Sequence, residues 1–174
     1  VNLERARWMP KSFGDAYVLV NTAAFKLDVV RDGKTVLDMR VVVGKPNSST
    51  PVFSDQIEAV EVNPYWRVPK SIAGEEMLPK LRANPAGALA AQNMKVFAGG
   101  KEVSPAVLVG WSGSVRSFPY LIRQEPGAHN ALGRIKFSMP NEFDIYLHDT
   151  PSKSLFNRNV RAFSAAARAA SRRF

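Results

Sequence analysis

Asp32-Gly33, set between two runs of strand-forming residues, is the feature that most restricts what this chain can fold into. An Asp-Gly pair supplies the positive φ angles of a tight hairpin, so Arg31-Asp32-Gly33-Lys34 reverses the chain. Before it, Phe25, Leu27 and Val29 alternate with Lys26 and Asp28, a spacing that predicts a strand with one buried and one wet face. After it, a strand is expected from Lys34 through Val43, and Tyr17-Val18-Leu19-Val20-Asn21 predicts another ahead of Phe25. The chain therefore opens as an antiparallel meander. Gly44 to Pro51 breaks it with turn residues, and Gln56 to Val62 resumes strand character.

From Ser71 the texture becomes helical. Glu75 to Leu81 and Pro85 to Asn93 carry good helix formers, with Pro79 and Pro85 limiting their lengths. Lys95-Val96-Phe97 and Lys101-Glu102-Val103 around Gly99-Gly100 read as a small hairpin. Further on, Ile135, Phe137 and Met139, then Phe143, Ile145 and Leu147, predict two strands joined by Pro140-Asn141-Glu142. That places His148 at a strand end, where an imidazole can be held in one orientation facing a cleft. His129 sits in a polar loop bounded by Gly127 and Gly133, glycines that let the backbone bend tightly, and reads as an exposed loop histidine.

A length of 174 residues fits one domain. Residues 1–14, an amphipathic stretch stopped by Pro10, are expected to be a linker from an upstream domain. The start at Val1 suggests an excised piece, with any signal or anchor lying further upstream, so a membrane is expected to enter only through such missing segments. No apolar run approaches the roughly 18 residues of a membrane helix. The net charge of +9 favours polyanions at long range, yet the basic residues are scattered, with Arg168, Arg172 and Arg173 the one local cluster. Most of that charge reads as solvated surface, and no aromatic-basic motif of the usual nucleic-acid modules is present. Two histidines and no cysteine leave no expectation of a metal site or cofactor, and they remove disulfide and thiol chemistry. Gly-x-Ser-x-Gly, phosphate-loop and His-Glu-x-x-His patterns are absent.

Tyr146-Leu147-His148-Asp149-Thr150-Pro151, followed by Arg161-Ala162-Phe163-Ser164, resembles the core of the L,D-transpeptidases, the YkuD-type catalytic domains that remodel peptidoglycan. Val43-Gly44-Lys45-Pro46 with Thr50-Pro51, the run Val62 to Pro69, and Asn130-Ala131-Leu132-Gly133 extend the likeness over about residues 15 to 164. The resemblance implies a mainly β fold with some α: a YkuD-type β-sandwich over residues 15–174, with an inserted, partly helical capping subdomain at about 70–123. It implies His148 as the base and Ser164 as the first place of a Ser-His-Gly-Cys block. Tyr146, Asn130, Gly133 and Trp66 become the substrate-binding candidates. The expected partners are peptidoglycan stem peptides, and carbapenem-type inhibitors where the cysteine is present. The expected location is the periplasm or cell envelope.

The departure from that pattern is as specific as the match. Where the family reads His-Gly-Cys, this chain reads Ala165-Ala166-Ala167, so alanine stands at the nucleophile position 167. A thiol suits acyl transfer because a neighbouring histidine draws its pKa from about 8.5 towards neutrality, and a methyl group offers no lone pair. Ala166 replaces a glycine whose conformation a residue with a Cβ does not readily reach. The arginine expected two places after the nucleophile falls on Ala169. Ser164 with His148 would make a serine–histidine pair, but Ser164 stands three positions from the nucleophile site. The Ala/Arg-rich tail, 165–174, is a strong helix former by propensity. The sequence as written thus predicts an inactive transpeptidase domain. A natural pseudoenzyme, a deliberately disarmed or truncated domain, and a last stretch that is not the true sequence are its open explanations. The alternative function is a non-catalytic cell-wall binding or scaffold module.

Overall fold

A computed structural model of the chain describes residues 7, 12–109, 111, 113 and 117–164. Most of the expected linker, and all of the tail 165–174, lie outside the described residues.

The meander forms as the sequence requires. β1 (Ala16–Asn21), β2 (Lys26–Arg31) and β3 (Lys34–Arg40) make an antiparallel sheet with β2 in the middle. Asp32 at φ 50° and Gly33 at φ 71° form the predicted turn. The expected single buried face does not hold: Leu27 and Val30, at positions of opposite parity, are the buried residues of β2, while all of β3 is exposed. Central position decides this, because both neighbouring strands screen β2 and one side of β3 has no partner. The strand expected to run to Val43 stops at Arg40, and β4 (Val43–Gly44) is a separate element.

After β5 (Ala59–Val62) and β6 (Trp66–Arg67) comes α1 (Lys70–Ile72), which passes through a π-helical segment, Ala73–Met77, into α2 (Leu78–Ala83). Pro79, expected to limit the helix, lies inside α2 instead. A proline lacks the N–H and crowds the carbonyl four residues earlier, and the wider π turn just before it relieves both. α3 (Pro85–Ala90) starts where Pro85 predicted, with the Asn84 side chain accepting from the Gly87 N–H at 3.0 Å. β7 (Met94–Ala98) and β8 (Lys101–Val103) are the predicted hairpin. β9 (Leu121–Gln124), which the sequence reading left unassigned, becomes a central strand of a four-stranded sheet ordered β6-β9-β7-β8.

The best-packed cluster among the described residues belongs to this middle region. Leu81, Leu89, Val96, Leu108, Phe118 and Ile122 are each at most 1% exposed and pack the helices on the four-stranded sheet. Burying one such side chain contributes roughly 1.5–3 kcal/mol, so this middle region carries a core of its own.

β10 (Ile135–Ser138) lies between β5 and β11 (Leu147–His148) in an antiparallel sheet. The second predicted strand is thus only two residues long, because residues 139–146 form a loop around Asn141. Its Nδ2 donates to the carbonyls of Met139 and Ile145, both at 2.7 Å, and its Oδ1 accepts from the N–H groups of Phe143 and Ile145 at 3.1 Å. β12 (Ala162–Ser164) pairs in parallel with β4. The Arg161 guanidinium fixes that junction by donating to the carbonyls of Phe25, Val41 and Arg158.

Candidate active site

The site is built on the face of the β11-β10-β5 sheet that carries polar side chains. Lys136 at the centre of β10 is the cross-strand partner of Glu61 on β5 and of His148 on β11. Directly opposed residues share one face, so Glu61, Lys136 and His148 form a row. Lys136 Nζ is 2.7 Å from Glu61 Oε1, and Ser138 Oγ donates to the same oxygen. Hydrogen bonds from Lys136 and Ser138 hold the Glu61 carboxyl below its ordinary pKa.

His148 makes the contact that sets its chemistry. Its Nδ1 lies 2.5 Å from the carbonyl oxygen of Asp149, an acceptor only, so Nδ1 carries the proton and Nε2 keeps the lone pair. The residue is open at the surface, yet protein surrounds the ring closely enough that lost hydration pushes its pKa down, opposed by the Asp149 carbonyl and carboxylate. The Lys136 charge adds a smaller depression. The outcome is a neutral imidazole at neutral pH with its basic nitrogen free.

Tyr146 packs against His148 with ring centroids 5.7 Å apart and planes at 60°. Lys136 Nζ stands 4.7 Å from the tyrosine ring centroid. Burial raises the phenol pKa, and a hydrogen bond from Trp66 partly offsets this. A cleft of about 360 Å³ lined by Lys136, Ser138, Met139, Asn141, Asp144 and Tyr146 opens beside this group.

Asn130 and Gly133 are placed behind the site. Asn130 is 1% exposed; Nδ2 donates to the carbonyls of Pro64 and Glu125, each at 3.0 Å, and Oδ1 accepts from Leu132 N–H at 2.8 Å. It fixes the loop. Gly133, at φ +62°, has the Asp149 carboxylate where a Cβ would lie. That carboxylate accepts from Arg134 N–H at 3.1 Å and from Lys153 Nζ. Partial burial works to raise the Asp149 pKa, but these donors and the Thr150 N–H outweigh it and leave the group lowered. Gly133, Asp149 and His148 thus form one mechanical unit, in which a tight loop seats Asp149 and the Asp149 carbonyl seats the imidazole.

Ser164 is placed on the other sheet, where its carbonyl accepts from Lys45 N–H at 3.2 Å. Ala165, Ala166 and Ala167 lie outside the described residues. The sequence reading brought His148, Tyr146 and Trp66 to notice and missed Glu61, Lys136, Ser138 and the positioning part of Asp149. The wet positions of β10, Lys136 and Ser138, were the available signal; their partner Glu61 needs the register. Among the described residues, no group of three or more His, Cys, Asp or Glu side chains comes together, and no helix is long and apolar enough to cross a membrane.

The described residues thus present an oriented imidazole, with Nε2 uncommitted, packed on Tyr146, which lines the cleft. The comparisons narrow the class. The L,D-transpeptidase catalytic domain family matches residues 15–172. A curated protein of Haemophilus influenzae named "Putative L,D-transpeptidase" is 37% identical over 165 residues, covering 95% of this chain and 33% of the relative. The chain belongs to the L,D-transpeptidase catalytic domain family, with the mainly β YkuD-type fold, and spans about a third of that relative's length.

His148 gives a direct check. With only two histidines in the chain, an H129Q variant isolates its ring signals for NMR titration. The expected result is an Nδ1-protonated neutral tautomer and a midpoint below the ordinary value of about 6.5. Because the folded pKa is the lower one, this histidine's contribution to stability is complete above the unfolded value and is lost as pH falls towards the folded one. A midpoint above 6.5, or an Nε2-protonated ring, would contradict the geometry described.

Proposed function

We propose that this domain binds peptidoglycan stem peptides as the acyl-transfer domain of an L,D-transpeptidase of the cell envelope, and that the chain as written does not turn over. The observation that carries the reading is the oriented His148, with Nε2 free beside Tyr146 and the cleft. In the family's reaction a cysteine thiol attacks a carbonyl of a tetrapeptide stem, its proton passing to the histidine. The departing amine takes that proton, and the amine of a second stem opens the thioester. This chain keeps a base for those transfers. It has no thiol to supply the attacking sulfur.

The region 70–123 fits the part of a cap over the substrate, since it carries a packed core of its own, against which Trp66 of β6 also packs. The competing reading, a non-catalytic wall-binding module, is favoured by the missing cysteine and the +9 charge.

Binding to isolated sacculi tests both. Recognition by the cleft persists when salt rises from about 0.05 to 0.5 M, because short contacts are less screened than long-range attraction. A Y146A variant is expected to lose most of the salt-resistant fraction. Binding that vanishes with salt and ignores Y146A would favour adhesion by charge alone, and no binding at all would end both readings.

A further inference from the structure

The cleft beside the histidine row is lined by two charged side chains, Lys136 and Asp144, and they stand differently. Lys136 is already paired, its ammonium 2.7 Å from Glu61 Oε1, so cation and counterion cancel on the sheet. The Asp144 carboxylate makes no hydrogen bond or ion pair with the described residues, Lys136 of the same cleft included. The cleft therefore carries a local negative charge in a chain whose net charge is +9.

The loop holds that carboxylate in place. Asn141 Oδ1 accepts from the N–H groups of Phe143 and Ile145, the residues on either side of Asp144, both at 3.1 Å, and Asp144 N–H donates to the Asn141 carbonyl at 3.3 Å. Asp144 itself sits at φ 53°, a left-handed conformation that aspartate adopts more readily than most side chains. Met139, Pro140 and Ile145 complete the wall with apolar surface.

A fixed carboxylate beside apolar surface suits an ammonium on an aliphatic chain, since the charges pair while the methylenes lie against the wall. A stem that accepts an acyl group must carry such a group: its backbone nitrogens are amides, and a free alkyl amine is an ammonium at neutral pH. The +9 chain repels that cation at long range, and a local anion offsets the repulsion. Cleft and histidine also share residues. Tyr146 lines the cleft and packs on the His148 ring at 5.7 Å, and Lys136 lines the cleft and is the cross-strand partner of His148. Asp144 precedes His148 by four residues, at most about 14 Å of chain.

We propose that Asp144 seats the ammonium of the acceptor stem in this cleft, an inference that rests on the peptide-binding reading above. The test is an NMR titration of the ¹⁵N-labelled chain with two reporters, the Asp144 backbone N–H and the His148 ring. The probes are a synthetic stem peptide with a blocked N-terminus and one free side-chain amine, and the same peptide acetylated at that amine. The free amine is expected to shift both reporters and to bind about fivefold more tightly at low salt, the size of one partly exposed ion pair. The acetylated peptide shifts His148 alone. D144N, which keeps the shape and removes the charge, brings the amine peptide down to the acetylated peptide's affinity and leaves the latter unchanged. E142Q, which removes a charge from the same loop outside the cleft lining, leaves both affinities as they were. Equal affinities of the two peptides, no effect of D144N, or an E142Q effect as large as that of D144N overturns the seat, and a His148 ring that still shifts leaves the peptide reading standing. A D144N chain that loses both peptides alike overturns it in favour of a purely structural loop residue. Neither peptide shifting His148 overturns the peptide reading and this inference with it.

Discussion

Replacing Ala165, Ala166 and Ala167 together by His, Gly and Cys is expected to convert a chain that forms no adduct with a carbapenem into one that gains a single covalent equivalent, read as intact mass. The parent has no cysteine, so its mass is expected to stay that of its 174 residues after incubation. In the variant, the new thiol is given the base the chain has kept. His148 holds its proton on Nδ1 against the Asp149 carbonyl and offers Nε2, and a nearby imidazole lowers a thiol pKa from about 8.5 towards neutrality. A167C alone is expected to react more slowly by an order of magnitude or more, because the glycine that frees the backbone N–H groups for the oxyanion is missing and each lost donor costs about 10²-fold in rate. H148Q in the triple variant is expected to remove most of the reaction while leaving the fold intact. A folded triple variant without an adduct would show that more than the nucleophile has been lost. An adduct on the parent chain would mean that its true C-terminal residues differ from those written.

The second large effect concerns stability. N130A is expected to cost about 3 kcal/mol, since it strands the carbonyls of Pro64 and Glu125 and the Leu132 N–H in a site where Asn130 is 1% exposed. For a domain of this size that is a fall in Tm of roughly 10 °C. G133A is expected to be of similar size, because a Cβ would fall on the Asp149 carboxylate at a φ of +62° that suits glycine. Both changes act on one loop, so their costs combine less than additively. The G133A effect extends to chemistry: a displaced Asp149 moves the carbonyl that orients His148, and the ring's tautomer preference is expected to weaken. N130A or G133A proteins with an unchanged Tm would show that the loop is not the strut described here.

The meander and its turn were legible because they rest on local rules. Asp32-Gly33 selects a hairpin by its φ angles alone, and Lys101 pairs with Ala98 because Gly99-Gly100 leaves few other ways to turn. Pro79 was misread for the same reason, since local propensity stops a helix at proline and only the packed helix shows the π turn that accommodates it. β9 escaped notice because a central strand between β6 and β7 is specified by its partners.

By itself the sequence determined the family, through His148 and its flanking motif, and the absence of any thiol at the place where the family carries its nucleophile. It could do so because those features are identities of residues along the chain. The row Glu61–Lys136–His148 and the Asp149 carbonyl that sets the histidine tautomer were decided only by tertiary structure. Their members lie up to 87 residues apart (148 − 61), and nothing short of strand register brings a glutamate, a lysine and a histidine onto one face.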